Sequence, residues 1–343
     1  MAPAASKQER LTVAVTGPTG DIGRSVVRAL ERSPRVGRII GMARRPFDPA
    51  EHGWKRTEYR RGDVLEPDSV RALVENADVV VHLAFIIFGG HRETHAVNLR
   101  GSRNVFEAAV AAGAKRLVYT SSVAAYGFHR ENPDVLTEDI PPRGTHELYY
   151  SAQKAELEGL LADVTAGSPT GVYVFRPCIV AGADAPTLVE AFTGRTLLKG
   201  LPARVLGLLD SLPLVGPVLP DSGLPFQLVH HDDVALAVRA AVLGSGAPGS
   251  YNLAGEGTIT ASDVAHALGW RSLCVPQPVV EAAAEVVSRV PLVPAEALWI
   301  NALRKPVLMD TSKARRGLRW RPRRDASEIL RETVTSARAA GIV

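Results

Sequence analysis

The chain opens with the apolar alternation Leu11-Thr12-Val13-Ala14-Val15, passes through the glycine-rich turn Thr16 to Gly23, and continues into a helical stretch from Arg24 to Glu31. The alternation of strand and helix patterns persists through the first half. Val36 to Met42 reads as a second strand, and a short strand near Thr57 to Arg61 leads to Gly62-Asp63-Val64. Ala77 to Ala84 is an apolar run of the kind found in strands buried on both faces. A helix from about Glu93 to Ala112 carries Val97, Gly101, Val105 and Ala108 at helical spacing. Lys115 to Thr120 is the next strand, ending at Ser121-Ser122; a helix contains Tyr150 to Leu161; Val172 to Arg176 is a strand stopped by Pro177. This order predicts an α/β fold with a doubly wound parallel sheet and a ligand site at the carboxyl ends of its strands.

Beyond Gly182 proline and leucine rise and the alternation fails. Phe226 to Val229 looks like a strand returning to the main domain, followed by a helix from Val234 to Leu243 capped by Asp232 or Asp233. Ser262 is placed to cap a helix containing Val264 to Leu268. The expected division is residues 1–182 plus 226–254 for cofactor binding, and a smaller, discontinuous substrate lobe of 183–225 plus 255–343.

Composition narrows the class only modestly. A chain of 343 residues, 46% hydrophobic and 22% charged, is an ordinary globular protein with room for a large core. Its net charge of +4 suits an anionic cofactor but is no argument for nucleic acid. The basic run Arg315 to Arg324 reads as a solvated surface segment. Cys178 and Cys274 form no metal or redox motif, and the first ten residues lack an apolar signal core, so a reducing cytoplasm is the expected compartment. Leu201 to Pro220 is leucine-rich, yet four prolines, Arg204 and Asp210 interrupt it; an apolar lid or pocket wall is expected there rather than a membrane span.

Three features carry chemistry. The glycines at 17, 20 and 23 permit a tight turn and close backbone approach to a pyrophosphate, with the helix N-terminus aimed at the anion. Tyr150 and Lys154, four residues apart, share one helix face. A phenol titrates near about 10, and an adjacent ammonium would favour its ionised form; a shift of about three units corresponds to roughly 4 kcal/mol. Ser122, at a strand end, is placed to hydrogen-bond a reacting oxygen. His230-His231-Asp232-Asp233 invites a metal reading, but neighbouring strand residues point to opposite faces and capping accounts for the acids, so no metal is expected.

Together these residues resemble the extended short-chain dehydrogenase/reductase family, which contains the NAD-dependent epimerases and dehydratases. Gly17, Gly20 and Gly23 match its TGxxGxxG loop, in which Thr19, Asp21 and Ile22 also lie. Asp63-Val64 matches the pair that contacts adenine, and His82-Leu83-Ala84 the strand beside the cofactor. Asn98 to Val105 is similar to the NVxGTxNV helix, Ser121-Ser122 with Tyr126-Gly127 to the SSxxxYG segment, and Tyr150 with Lys154 to the YxxxK pair. Arg176-Pro177 and His230 to Ala235 look like the RPxxVYG and HVDDVA segments. The resemblance implies a Rossmann domain, a nicotinamide cofactor held by Gly17, Thr19, Gly20, Asp21, Ile22, Gly23, Asp63, Val64, Leu83, Ala84, Asn98, Tyr150, Lys154 and Pro177, and catalysis by Ser122, Tyr150 and Lys154. A homodimer through two packed helices would be usual for the family.

Departures from the family pattern narrow the reaction. Val123-Ala124 follows Ser122 where dehydratases of the family carry an acidic pair, so dehydration is disfavoured. Leu224 to Gln227 lacks the arginine that clamps the diphosphate in nucleotide-sugar epimerases. Phe85-Ile86-Ile87-Phe88 is apolar where substrate would approach; these residues either line the pocket, Phe85 first, or pack the core. At the end of the second strand stand Arg44 and Arg45, with no acid before Asp48, which favours NADP with NAD the alternative. The expectation is an NAD(P)-dependent oxidoreductase interconverting a carbonyl and an alcohol on a moderately hydrophobic small molecule, with Phe85, Ser122 and Tyr150 facing the substrate. The alternatives are a nucleotide-sugar 4-epimerase and a non-catalytic NAD(P)-sensing module.

Overall fold

Alternate residues of the strand Leu11–Thr16 (β1) enter two different cores: Val13 and Val15 pack on one side, Ala14 on the other. The same division recurs in Val79–His82 (β4), where Val79 and Val81 oppose Val80, because successive strand residues point to opposite faces. A sheet covered on both faces follows, and its neighbours supply the covering. The computed structural model describes residues 10–87, 94–186, 188–189, 217–280, 282 and 305–343. Phe88, Glu93 and positions 201–216 of the leucine-rich stretch lie outside the described residues.

The other strands are Val36–Ala43 (β2), Thr57–Arg61 (β3), Arg116–Thr120 (β5), Val135–Leu136 (β6), Gly171–Pro177 (β7), Ile179–Ala181 (β8), Val218–Asp221 (β9), Leu228–His230 (β10), Gly249–Leu253 (β11), Arg271–Cys274 (β12) and Leu308–Met309 (β13). Seven form one sheet in the order β11-β7-β5-β4-β1-β2-β3, with every pairing parallel. The chain runs outward from β1 in both directions, so a topological switch point lies between β1 and β4. Open parallel sheets of this type bind ligands at that crevice. The fold is thus the expected Rossmann-like, doubly wound α/β architecture.

The helices are Gly23–Glu31 (α1), Pro67–Val74 (α2), Ser102–Ala111 (α3), Tyr149–Thr165 (α4), His231–Val242 (α5), Ala261–Leu268 (α6), Ser312–Gly317 (α7) and Ala326–Ala339 (α8). Residues of α1 and α5 join the core on one sheet face, those of α2, α3 and α4 the core on the other. A third core is built from Leu228, Ile259, Val264, Leu268, Ile329, Leu330 and Val334 with Ala181, Leu188 and Val189. Short parallel pairs lie outside the main sheet: β8 with β10, β9 with β12, and β6 with β13. None of the described helices is long and apolar enough to cross a membrane.

Several local expectations are corrected. The strand β11 was absent from the sequence reading; its Tyr251 and Leu253 face the core while Asn252 between them is buried and bonded to Tyr126 Oη at 2.7 Å and to the Leu136 carbonyl at 3.1 Å. The long helix expected from Glu93 includes a π-helical segment, Ala96–Gly101, ahead of α3. His230, not Asp232 or Asp233, caps α5 by accepting from Asp232 N–H. Thr260, not Ser262, caps α6 in a reciprocal box with Asp263. The basic segment is not simply solvated. Trp320 is buried and donates to the Asp233 carbonyl at 2.7 Å, and Arg324 pairs with Glu332 at 3.1 Å. Part of this segment packs with the main sheet, since Leu318 and Trp320 share a core with Val13 and Val26.

Candidate active site

The turn between β1 and α1 is shaped by what its glycines exclude. Gly17 has a positive φ of 70°, and a Cβ there would stand 3.0 Å from Ala84 N, so the turn presses against the end of β4 at the switch point. A Cβ on Gly23 would lie 2.0 Å from the Gly17 carbonyl oxygen, which makes that position glycine by contact. Gly20 differs: its Cβ would meet only that same oxygen, at an ordinary 3.6 Å. Thr19 and Gly20 form the exposed tip, Asp21 and Ile22 are half-buried, and α1 begins with no side-chain cap and no acid in its first turn. An uncapped helix start behind an open glycine is a cradle for an anion.

Thr16 fastens this turn to the neighbouring strand. Its Oγ1 accepts from Leu83 N–H at 3.2 Å and Ala84 N–H at 3.3 Å, and its hydroxyl bonds His82 Nδ1 at 2.7 Å. His82 Nε2 reaches Ser102 Oγ at 2.8 Å. Burial, with the charge of Lys154 second, pushes this imidazole down to about 3, so it is neutral. With Thr16 accepting both N–H groups, the ring carries its proton on Nε2. This tie was not foreseen, although a histidine inside an apolar strand was its signal.

The second cluster lies where β5 ends. Ser122 is buried, begins a short 3₁₀ turn over Val123–Tyr126, and hydrogen-bonds the Tyr150 phenol. Tyr150 and Lys154 lie on one face of α4, both buried. Tyr150 sits among Ala124 and Leu148, with Phe85, Ile87, Phe128 and Tyr149 packed against the group. Phe85 meets it edge-on, with centroids 5.5 Å apart and planes at 90°. Gly17, Ala84, Phe85 and Tyr150 therefore form a continuous path from the glycine turn to the phenol.

The expected acidification of Tyr150 by Lys154 is not what this arrangement shows. Burial pushes the phenol up to about 12, opposed by the Ser122 hydrogen bond. Burial also brings the Lys154 ammonium down to about 7, with Glu158 working the other way. The ammonium lies 6.0 Å from the Tyr150 ring centroid but 3.7 Å from that of Phe85. It donates to the Thr120 carbonyl at 3.0 Å and to Tyr119 Oη at 3.3 Å. Desolvation is the largest cause at both groups, because each is buried.

The remaining predicted residues fall around these two clusters. Asn98, fully buried in the π-helical segment, accepts from Ile86 N–H at 2.8 Å and donates to the Ile86 carbonyl at 2.9 Å and Gln153 Oε1 at 2.8 Å. Its amide is engaged by protein groups, so its place here is to hold the segment after β4. Asp63 Oδ1 accepts from Leu65 N–H at 2.9 Å, and Val64 is buried against Gly101, where a Cβ would come within 2.6 Å of Val64 Cγ2. Pro177 ends β7. Arg44 and Arg45 are exposed just past β2, and Asp48 caps the turn Pro49–His52 through Ala50 N–H.

Sequence reasoning missed the acid behind the site. Glu158 and Arg176 form a buried ion pair at 2.6 Å, their side chains 6% and 3% exposed, and Ser121 Oγ donates to Glu158 at 2.6 Å. Glu158 lies eight residues after Tyr150 on the same helix stripe, and that spacing was the available signal.

His230, His231 and Asp232 bring ligand atoms within 4.8 Å of one another, and the two rings are only 4.0 Å apart. The chain turns from strand to helix between them, so the divergence expected of strand neighbours does not apply. Each ring nitrogen has a protein partner: Asp232 N–H and Arg324 on His230 Nδ1, Glu332 on its Nε2, Ser25 on His231 Nδ1, and Asp184 N–H on its Nε2.

A nicotinamide dinucleotide fits these residues on two observations. The Gly20 cradle is open, and beside the Tyr150–Lys154 cluster two buried polar atoms, Thr120 Oγ1 and Gln153 Nε2, have no partner among the described residues. Comparison with known proteins agrees. Residues 13–254 match the model of the NAD dependent epimerase/dehydratase family. Over 225 residues the chain is 33% identical to 3 beta-hydroxysteroid dehydrogenase type 7 from Homo sapiens, covering 58% of this chain and 60% of that protein. The chain thus spans less than two thirds of that relative's length. A short-chain dehydrogenase/reductase superfamily protein from Agrobacterium tumefaciens with bound NAD superposes with a TM-score of 0.69 at 19% identity, covering 96% of this chain and 98% of that one. UDP-glucuronic acid 4-epimerase from Bacillus cereus, in complex with NAD, gives 0.70 at 18% identity, covering 96% and 99%. These two likenesses establish the fold. The glycine turn at the switch point, the sheet order and the match over residues 13–254 place this chain in the NAD-dependent epimerase/dehydratase family of extended short-chain dehydrogenases/reductases.

Proposed function

We propose that the protein is an NAD(P)-dependent oxidoreductase that interconverts a carbonyl and an alcohol on a moderately hydrophobic small molecule. The observation that carries this reading is the convergence of Ser122, Tyr150 and Lys154 under an apolar wall of Phe85, Ile87, Phe128 and Tyr149. A phenol in such surroundings suits an uncharged, apolar substrate better than a diphosphate. The steroid-alcohol relative supports the same class.

The bound cofactor supplies or accepts the hydride. In the reduction direction Ser122 donates a hydrogen bond to the carbonyl oxygen and Tyr150 delivers its phenolic proton to that oxygen. Lys154 would hold a ribose hydroxyl and, when charged, would stabilise the phenolate left behind on the same helix face. Asp63 and Val64 would border the adenine, while Thr19, Gly20, Asp21 and Ile22 would surround the pyrophosphate with Gly17 and Gly23 shaping the turn. Leu83, Ala84 and Pro177 would flank the nicotinamide side.

We assign the 2′-phosphate of NADP to Arg44, with Arg45 second. Both side chains are exposed beyond β2, and Asp48, the first acid after them, is occupied in capping a turn. Residues 1–182 with 226–254 are assigned to the cofactor, and 183–225 with 255–343 to the substrate lobe and C-terminal segment.

Assay of the purified protein with hydrophobic secondary alcohols and ketones, steroids among them, tests this reading by following reduced nicotinamide. Turnover that needs added cofactor and favours NADP is the expected result. Conversion of nucleotide sugars by retained cofactor would replace it with the epimerase reading. Tight cofactor binding without turnover of any substrate would replace it with a sensing role.

A further inference from the structure

The segment after β4 is pinned on both sides of one residue. Ala84 N–H is held by Thr16 Oγ1, both backbone groups of Ile86 are held by Asn98, and Tyr149 donates its hydroxyl to the Ile87 carbonyl. Phe85 lies between these pins, half-buried, and its ring covers Lys154 Nζ at 3.7 Å while meeting Tyr150 edge-on. An ammonium has three donors. Lys154 directs one to the Thr120 carbonyl and one to Tyr119 Oη, and the ring face of Phe85 takes the remaining direction. Of these three contacts only the ring can be given up without stripping a hydrogen bond from a buried oxygen.

We propose that Phe85 is a positioning residue: its ring occupies the third donor direction of the Lys154 ammonium until a ribose hydroxyl of the cofactor takes the ring's place, and the same swing uncovers the Tyr150 ring for substrate. With the backbone fixed on either side, the movement is a change of rotamer at Phe85 alone. This role rests on the oxidoreductase reading above, in which Lys154 holds the ribose.

Reductive methylation of the full chain without cofactor, with peptide mapping of Lys154 by mass spectrometry, reads the contact directly. Phe85→Leu keeps apolar bulk but removes the π face; it is expected to raise the Lys154 labelling rate about 2- to 30-fold, the cation–π contribution expressed as a ratio. Its Kd for NADP, or for NAD, is expected to fall by a similar factor when titrated calorimetrically, since the ring contact no longer has to be given up. Phe85→Trp retains a π face and is expected to label at or below the wild-type rate. Unchanged labelling of Phe85→Leu, with normal cofactor binding, overturns the role of Phe85 and leaves the enzymatic reading in place. Faster labelling in Phe85→Trp as well also overturns it, since shielding by the ring face would then be irrelevant. Failure of the wild-type protein to bind either cofactor overturns the enzymatic reading, and the role of Phe85 with it.

Discussion

Lys154 shares a helix face with Tyr150, yet its ammonium rests on Phe85, 3.7 Å from that ring and 6.0 Å from the Tyr150 ring. Burial brings the ammonium from its ordinary 10.5 down to about 7. Because the folded value is below the unfolded one, the unfolded chain binds more protons between these limits. Folding stability contributed by this group therefore rises with pH from about 7 to about 10.5 and is lowest below that window. Lys154→Met, which does not titrate, is expected to be more stable than wild type at about pH 6 by up to a few kcal/mol, with the gap closing toward about pH 10. Urea unfolding of both proteins across this range checks the slope. A gap independent of pH would show that the lysine is not desolvated.

The glycine turn separates fold from ligand in a pair of substitutions. Gly23→Ala places a Cβ 2.0 Å from the Gly17 oxygen, backbone against backbone, and is expected to cost about 3 kcal/mol or more. Gly20→Ala makes only an ordinary 3.6 Å contact and should leave the melting temperature nearly unchanged while weakening cofactor binding by about tenfold or more. Thermal unfolding with and without NADP distinguishes the two.

Arg44 sets the cofactor choice in this account. Arg44→Ala is expected to weaken NADP by about 10- to 100-fold, the loss of a charge-assisted hydrogen bond, and to leave NAD within about twofold. Equal loss of both cofactors in binding titrations would remove Arg44 from the 2′-phosphate site.

Glu158 and Arg176 bury their charges against each other behind the site. Glu158→Ala leaves Arg176 unpaired and should cost about 3–5 kcal/mol. The double substitution Glu158→Leu with Arg176→Met should recover more than half of that loss, because no isolated charge remains. Denaturant unfolding of the single and double variants decides the matter.

The sheet was legible in the sequence because its central strands carry uninterrupted apolar runs, Val79 to Val81 being the plainest. β11 was not legible, since Ser250 and Asn252 make an edge strand look polar until Tyr126 is seen bonding Asn252. Caps were misplaced by two or three residues, where His230 caps in place of Asp232 or Asp233 and Thr260 in place of Ser262. At the site, the spacing of Tyr150 and Lys154 correctly put both on one face of α4. Where the ammonium points depends on Phe85, Tyr119 and Thr120, which come from other elements, and helical spacing carries no information about them.

The account stands on the phenol of Tyr150 as the proton donor to a reacting oxygen. Tyr150→Phe removes one hydroxyl and keeps the ring against Phe85. Steady-state turnover of an alcohol or ketone accepted by the wild type should fall about 100- to 10,000-fold, while the Kd for cofactor stays within about twofold. Turnover close to that of the wild type would contradict the account.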